Sequence, residues 1–157
     1  MRFSLVTVFF VFAFASLFNT AAKGQIFPPK PSSALDAKKP WKSSQLIESA
    51  TLVSQIKNAK SKPLIFNIGV VEDIKGAKHI GGVSKEENLK SFEQALKGVP
   101  KSASVVVYCG CCPFDKCPNI RPAFNMLNRM GFTHAKLLNL PTNIKVDWIE
   151  KGYPVEK

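Results

Sequence analysis

The chain has 157 residues, of which 45% are hydrophobic and 21% are charged, and this length fits one ordinary domain with appendages better than two full domains. Its 9 glycines and 11 prolines exclude a collagen-like or linker-dominated chain, and a mean hydropathy of zero excludes a membrane protein with several spans. The net charge is +11, but the lysines are scattered without the basic and aromatic clusters typical of nucleic-acid binders, so we expect no nucleic-acid partner.

The beginning of the chain has the pattern of a secretory signal peptide. A basic residue precedes a nearly unbroken apolar run at Phe3–Phe18, and a small-x-small cleavage pattern follows at 22–24. The run is shorter than the ~20 residues that cross a bilayer, which favours cleavage before Lys23 or Gln25 over an uncleaved anchor. We therefore expect residues 1–24 to be removed and the mature protein to be exported, periplasmic or secreted, without stable membrane insertion.

Residues 25–44 have the composition of an extended tether. Prolines such as Pro28 and Pro29 restrict the backbone, and Lys38-Lys39 and other polar residues keep the segment hydrophilic. We expect order to begin near Gln45, so that residues 45–157 form one compact domain.

Apolar runs and helical patterns alternate through this domain. Short runs of β-branched and aromatic residues predict strands, and apolar residues at helical spacing predict helices. Strands separated by helices of this length indicate an α/β fold in which helices cover both faces of a parallel sheet. In chain order, we predict a strand at 63–68, a helix from Ser84 to Leu96, a strand at 104–108, a helix from Ile120 to Met130, a strand at 135–140 and a short closing helix at 146–151.

All four cysteines lie in the loop between the strand at 104–108 and the next helix, and they are Cys109, Cys111, Cys112 and Cys117. In an open α/β sheet, ligands bind just beyond the carboxyl ends of the strands. Backbone N–H groups at a helix start hold anions and lower the pKa of a nearby thiol from its free value of ~8.5. We therefore predict a thiolate at Cys109, with Lys116 and Arg121 adding positive charge at the far end of the loop.

Four stretches of the sequence carry a family resemblance, and they are Lys78-His79-Ile80-Gly81-Gly82-Val83, Val105-Val106-Val107-Tyr108-Cys109, Met130-Gly131-Phe132 and 148–155. Together they resemble the rhodanese family of single-domain sulfurtransferases over residues 64–155. In turn, they are similar to the family's Gly-His-Ile-Pro-Gly-Ala turn, its central strand ending in the cysteine that carries a persulfide, the end of its active-site helix and its closing Trp…Gly-x-Pro-Val. The resemblance implies a rhodanese-like domain with Cys109 as the sulfur-bearing residue.

Three parts of the sequence depart from the family pattern. Asn67-Ile68-Gly69 stands where the family has Asp-Val-Arg, and the segment 140–143 replaces a Gly-Gly pair. The loop that follows Cys109 is also longer than in common members, and its extra residues include Cys111 and Cys112. The resemblance therefore implies the fold and the position of the nucleophile, but not the substrate.

The activity implied by the resemblance is transfer of sulfane sulfur. The Cys109 thiolate would attack a donor such as thiosulfate, hold the sulfur as a persulfide and pass it to a thiol or cyanide acceptor, with no cofactor required. We expect structural roles for His79 and His134, because neither has a catalytic partner visible in the sequence. The residues expected to form the active-site loop and bind the anion are Gly110, Cys111, Cys112, Lys116 and Arg121.

Two other chemistries remain open for the same loop. Cys109 and Cys112 have C-x-x-C spacing, and a neighbouring cysteine could resolve an oxidised or persulfidated Cys109 as a disulfide. The four thiols also suit Cu(I) or Zn(II), although no standard zinc spacing is met. Cys111, Cys112 and Cys117 are therefore candidate resolving thiols, and all four cysteines are candidate metal ligands. An inactive rhodanese-like binding module is the remaining alternative.

Overall fold

The computed structural model describes residues 39–58 and 62–157. The predicted signal peptide and the predicted tether as far as residue 38 lie outside the described residues. Within the described ranges, no helix combines the length and the apolar character needed to cross a membrane. The strands are β1 (Leu46–Glu48), β2 (Leu64–Asn67), β3 (Ala77–His79), β4 (Ser104–Tyr108) and β5 (His134–Asn139), and the α-helices are α1 (Ser49–Lys57), α2 (Glu86–Leu96) and α3 (Ile120–Arg129).

The five strands form one sheet in the order β1-β5-β4-β2-β3, and all neighbouring strands are parallel. β4 is central, with Val107 opposite Phe66 of β2 and Leu137 of β5. Parallel neighbours cannot be joined by tight hairpins, and the three α-helices lie in the connections between strands. The sheet confirms the predicted α/β class.

Both faces of β4 are buried. Val105 and Val107 belong to one core cluster with residues of α2 and α3, whereas Val106 and Tyr108 belong to a second cluster with residues of α1 and the C-terminal region. All four side chains are 0% exposed. Helices therefore cover both faces of the sheet, as predicted, and burial on both sides explains the unbroken apolar sequence of this strand.

The predicted closing helix at 146–151 is a single π-helical turn at Lys145–Ile149. Trp148 fixes this turn, because its fully buried indole donates a hydrogen bond to the Pro154 carbonyl at 3.0 Å. The ring of Tyr153 packs edge-on against it, with the ring centroids 5.3 Å apart. The turn thereby holds the preceding residue, Ile144, against the cysteine loop.

The folded domain includes residues that the sequence analysis placed in the tether. Trp41 is only 7% exposed and packs edge-on against Phe124 of α3, with the ring centroids 6.1 Å apart. Asn128 donates a hydrogen bond to the Pro40 carbonyl at 2.9 Å, and Ser43–Gln45 forms a short 3-10 turn. The segment from Pro40 to Ser44 therefore packs on the domain ahead of the predicted boundary at Gln45, because burial of the large indole fixes it there.

The carboxyl ends of β2 and β4 lie side by side at one edge of the sheet. Asn67 of β2 is paired with Tyr108 of β4, and the Ile68 N–H donates to the Tyr108 carbonyl at 2.9 Å. The next residues are Gly69 on one chain segment and Cys109 on the other. The topology therefore brings the segment after β2 directly against the first cysteine.

Candidate active site

Cys109 is the first residue after the central strand, and its side chain is 2% exposed. Gly69 lies directly against it. A Cβ atom at Gly69 would stand 2.8 Å from the Cys109 sulfur and 2.5 Å from its carbonyl oxygen, which is closer than real Cβ atoms approach. The sequence Asn67-Ile68-Gly69, which departs from the family pattern, therefore provides the space that the Cys109 sulfur occupies.

Gly110 turns the chain away from the strand. Its φ of +77° lies in the left-handed region, and a Cβ there would stand 2.8 Å from the Cβ of Ile144. The Ile144 N–H donates to the Gly110 carbonyl at 2.9 Å, and the Phe114 N–H donates to the Leu140 carbonyl at 3.1 Å. These contacts hold the cysteine loop against the segment that follows β5.

Asn119 aims its amide at the Cys109 sulfur. Its Nδ2 donates a hydrogen bond to Sγ at 3.2 Å, and the residue is 7% exposed. Its Oδ1 accepts the backbone N–H of Ser84 at 2.8 Å, so the NH₂ group must face the sulfur. The residue immediately before α3 thus joins the α2 entry loop to the Cys109 sulfur.

The surroundings of Cys109 stabilise its thiolate. The pKa of Cys109 falls to about 5, chiefly because the Cys117 thiol donates to it, and the Asn119 amide and the backbone N–H of Cys111 lower it further. Burial opposes these donors by raising the pKa. Burial and the neighbouring Cys109 sulfur raise the pKa of Cys111 to about 12, and the pKa of Cys117 also rises, mainly because its thiol donates to Cys109. At neutral pH, one thiolate therefore lies beside two protonated thiols.

Three of the four cysteine sulfurs converge. The Sγ atom of Cys111 lies 3.2 Å from that of Cys109 and 4.0 Å from that of Cys117, and all three lie within 4.8 Å of one another. The Cys112 sulfur is outside this group, although it lies 3.6 Å from that of Cys111. All four cysteines are free thiols. The three-sulfur group (Cys109, Cys111 and Cys117) could hold a metal ion.

The two predicted cationic residues have other surroundings. Lys116 is exposed, and the Arg121 guanidinium lies over the Trp41 ring, 5.8 Å from its centroid. Among the described residues, neither side chain forms a hydrogen bond or ion pair with a cysteine, and the buried Nη1 of Arg121 has no hydrogen-bond partner. The groups that donate to Cys109 are instead neutral.

Both histidines have partners away from the sulfurs. The Nδ1 atom of His79 lies 3.0 Å from Oδ1 of Asp73 and 3.3 Å from Nδ2 of Asn67. The Nδ1 atom of His134 lies 3.1 Å from the Ser102 carbonyl oxygen. These contacts fix the segment after β2 and the start of β5, in keeping with the structural roles expected for both residues.

Asn119 is the site residue that sequence reasoning missed. Only a weak pattern in the sequence indicates this role. Asn119 carries a donor amide, stands directly before the apolar pattern of α3 and follows Cys117 by two positions. Asparagine at that position ordinarily predicts a helix cap. Its side chain makes no cap hydrogen bond and serves Ser84 and Cys109 instead.

Comparison with known proteins gives no assignment for this chain. No protein-family model matches the sequence. A search of curated proteins also finds no significant match. The geometry of the cysteine loop is therefore the basis for a functional conclusion.

Proposed function

We propose that the protein is a rhodanese-like sulfurtransferase that carries sulfane sulfur as a persulfide on Cys109. The observation that carries this proposal is the convergence of two hydrogen-bond partners on one buried sulfur, with a further thiol close by. The Asn119 Nδ2 atom and the Cys111 Sγ atom each lie 3.2 Å from the Cys109 Sγ atom, and the Cys117 Sγ atom lies within 4.8 Å of it. An arrangement of fixed donors around an anionic sulfur favours both a nucleophilic thiolate and its departure as a leaving group.

The groups that donate hydrogen bonds to Cys109 take part in both steps of the reaction. In the first step, the Cys109 thiolate attacks the outer sulfur of thiosulfate, the S–S bond of the donor breaks, and sulfite leaves with the electron pair. The product is the Cys109 persulfide anion. In the second step, cyanide attacks the outer sulfur, thiocyanate forms, and the thiolate of Cys109 leaves. Because Asn119 and Cys117 stabilise that thiolate, they lower the barrier to its release.

Thiocyanate formation from thiosulfate and cyanide tests the proposal. The wild-type protein should turn over, the Cys109→Ser variant should not, and the Cys112→Ser variant should retain turnover, because the Cys112 sulfur lies outside the three-sulfur group. Turnover that survives Cys109→Ser would contradict the assignment. Absence of turnover in the wild type, with both thiosulfate and a thiol persulfide as donors, would contradict the function itself.

The three-sulfur group favours a second function, binding of Cu(I). Soft thiolates select Cu(I) and Zn(II), but structural zinc is almost always bound by four ligands, and only three sulfurs converge among the described residues. Three sulfurs placed ~2.3 Å from a central ion would lie about 4 Å apart. The observed separations of 3.2 Å and 4.0 Å need only a small adjustment to reach that arrangement.

Competition with a chromophoric Cu(I) chelator tests this second function under anaerobic, reducing conditions. The wild type and Cys112→Ser should each retain one equivalent of Cu(I), whereas Cys117→Ser should lose it to the chelator. Equal loss from all three proteins would exclude a specific site. If Cu(I) binds, the loaded protein should take up no sulfur, because the metal occupies Cys109.

A further inference from the structure

The buried sulfur and the solvent-accessible sulfur of the loop belong to different residues. Cys109 is 2% exposed, with Gly69 and the Asn119 amide directly against its sulfur and the Cys117 sulfur within 4.8 Å. Cys111 is exposed, and its sulfur lies 3.2 Å from that of Cys109. A thiol with a bulky substituent can therefore contact Cys111 from solvent, but it cannot reach Cys109 while the loop keeps this conformation.

We propose that Cys111 is the exchange thiol through which sulfane sulfur passes between the buried Cys109 and thiol persulfides (R–S–SH) in solution. This inference rests on the sulfur transfer proposed above, and it adds the substrate class and a second reacting residue. Cys109 stores the sulfur, and Cys111 exchanges it with donors and acceptors.

Each step exchanges one S–S bond for another. The Cys111 thiol passes its proton to the Cys109 sulfur, 3.2 Å away, as the Cys111 sulfur attacks the outer sulfur of R–S–SH. A persulfide forms on Cys111, and R–S⁻ leaves and takes that proton from Cys109. The Cys109 thiolate then attacks the outer sulfur on Cys111. The bond between that sulfur and Cys111 breaks, and Cys111 takes the persulfide proton, which leaves a persulfide anion on Cys109. The same steps in reverse deliver sulfur to an acceptor thiol, with no net oxidation.

The distances set one requirement for this exchange. Two S–S bonds in line span about 4.1 Å, so the Cys111 sulfur, now 3.2 Å from that of Cys109, must withdraw by about 1 Å as the sulfur passes. Its exposed side chain belongs to neither core cluster, so packing does not prevent this movement. Cys117 is 3% exposed and cannot reach solvent, and Cys112 is not in the three-sulfur group. Cys111 is therefore the residue placed for exchange.

Sulfur uptake from glutathione persulfide tests the exchange role. The purified, reduced protein is mixed with the donor, and the gain of about 32 Da is followed by intact mass. Fragmentation of the tryptic peptide 102–116 then locates the added sulfur among Cys109, Cys111 and Cys112. We expect the sulfur on Cys109 in the wild type and on Cys111 in Cys109→Ser. Loading and discharge to glutathione should be at least about tenfold slower in Cys111→Ser and unchanged in Asn125→Ala, a change at an exposed position of α3.

The possible outcomes distinguish a failure of the exchange role from a failure of the proposed sulfur transfer. Wild-type rates in Cys111→Ser, together with loss of stable loading in Cys109→Ser, would overturn the exchange role and leave sulfur transfer standing. Release of H₂S with formation of a Cys109–Cys111 disulfide would also overturn it, because the sulfur would then be reduced, not transferred. No uptake by the wild type would overturn both.

Discussion

Asn119 donates a hydrogen bond to the Cys109 sulfur at 3.2 Å, and the backbone N–H of Ser84 fixes the amide in the orientation that this bond requires. The contact links the start of α3 to the end of β4 through side chains alone. Because it acts on the charged form of the thiol, its removal changes acidity more directly than it changes packing.

Replacing Asn119 should therefore raise the pKa of Cys109. A hydrogen bond to a charged group contributes about 1.5–3 kcal/mol, so Asn119→Ala should raise this pKa by about 1 to 2. Asn119→Asp should raise it further, because a carboxylate oxygen would replace the donor beside the thiolate. Titration of the ultraviolet absorbance of the thiolate measures both effects. Asn125→Ala, on an exposed position of the same helix, is the matched control and should leave the titration unchanged.

The lowered pKa of Cys109 also makes stability depend on pH. The pKa is about 5 in the folded protein and ~8.5 in a free thiol, so the unfolded chain binds more protons between these values. The free energy of unfolding, relative to Cys109→Ser, should rise with pH across this range by at most ~1.4 kcal/mol per pH unit. Urea unfolding of the two proteins under reducing conditions measures the difference.

The same linkage has limits at both ends of the pH range. Below about pH 5, Cys109 is protonated in both states, and its contribution is lost. Above the pKa of a free thiol the difference levels off, because Cys109 is then ionised in both the folded and the unfolded states. A difference that is flat between pH 5 and pH 8 would show that the Cys109 thiolate is not stabilised by folding.

Gly69→Ala should displace the Cys109 sulfur although it replaces no cysteine. The new Cβ would stand 2.5 Å from the Cys109 carbonyl oxygen and 2.8 Å from its sulfur, so the backbone must shift. Overpacking of this kind lowers the free energy of unfolding by about 1–3 kcal/mol. The amount of sulfur loaded on Cys109 should fall as well. At Gly82, a Cβ would stand 3.5 Å from the Asn119 amide oxygen, an ordinary contact. Gly82→Ala should therefore leave the denaturant midpoint nearly unchanged, and equal effects of the two changes would contradict this reading.

Trp41 should contribute to the stability of the domain. It packs against Phe124 of the core and against Phe114 of the cysteine loop, with ring centroids 6.1 Å apart in both pairs. Truncation of a buried tryptophan costs about 3–5 kcal/mol, so Trp41→Ala should lower the free energy of unfolding by an amount of this order. The exposed neighbour Lys42, changed to Ala, should have little effect. Chemical unfolding of both variants distinguishes a packed segment from a tether.

The central elements of the fold could be predicted because their burial leaves a strong pattern. The valines of β4 pack on both faces, which produces an unbroken apolar run. The strands β1 and β3 were missed, since three residues are too few to show a period and their pairing depends on the neighbouring strands. Trp41 was missed for a similar reason: its partners, Phe114 and Phe124, are distant in sequence.

The candidate site was only partly predictable. Its location after β4 followed from the topology, but the sequence could not distinguish the three convergent sulfurs from that of Cys112. That distinction depends on the left-handed turn at Gly110 and on the contacts that fold the loop back. The role of Asn119 depends on Ser84, which lies in a different connection and orients its amide.

The enclosure of Cys109 has a consequence for its chemical durability. Thiolates are the forms of cysteine that peroxides convert to sulfenic and then to irreversible sulfinic acid. Here the ionised sulfur is 2% exposed, while the thiol that faces solvent keeps its proton at neutral pH. An oxidant arriving from outside thus encounters a slow-reacting group first, and the residue most vulnerable to overoxidation is the one that the fold shields.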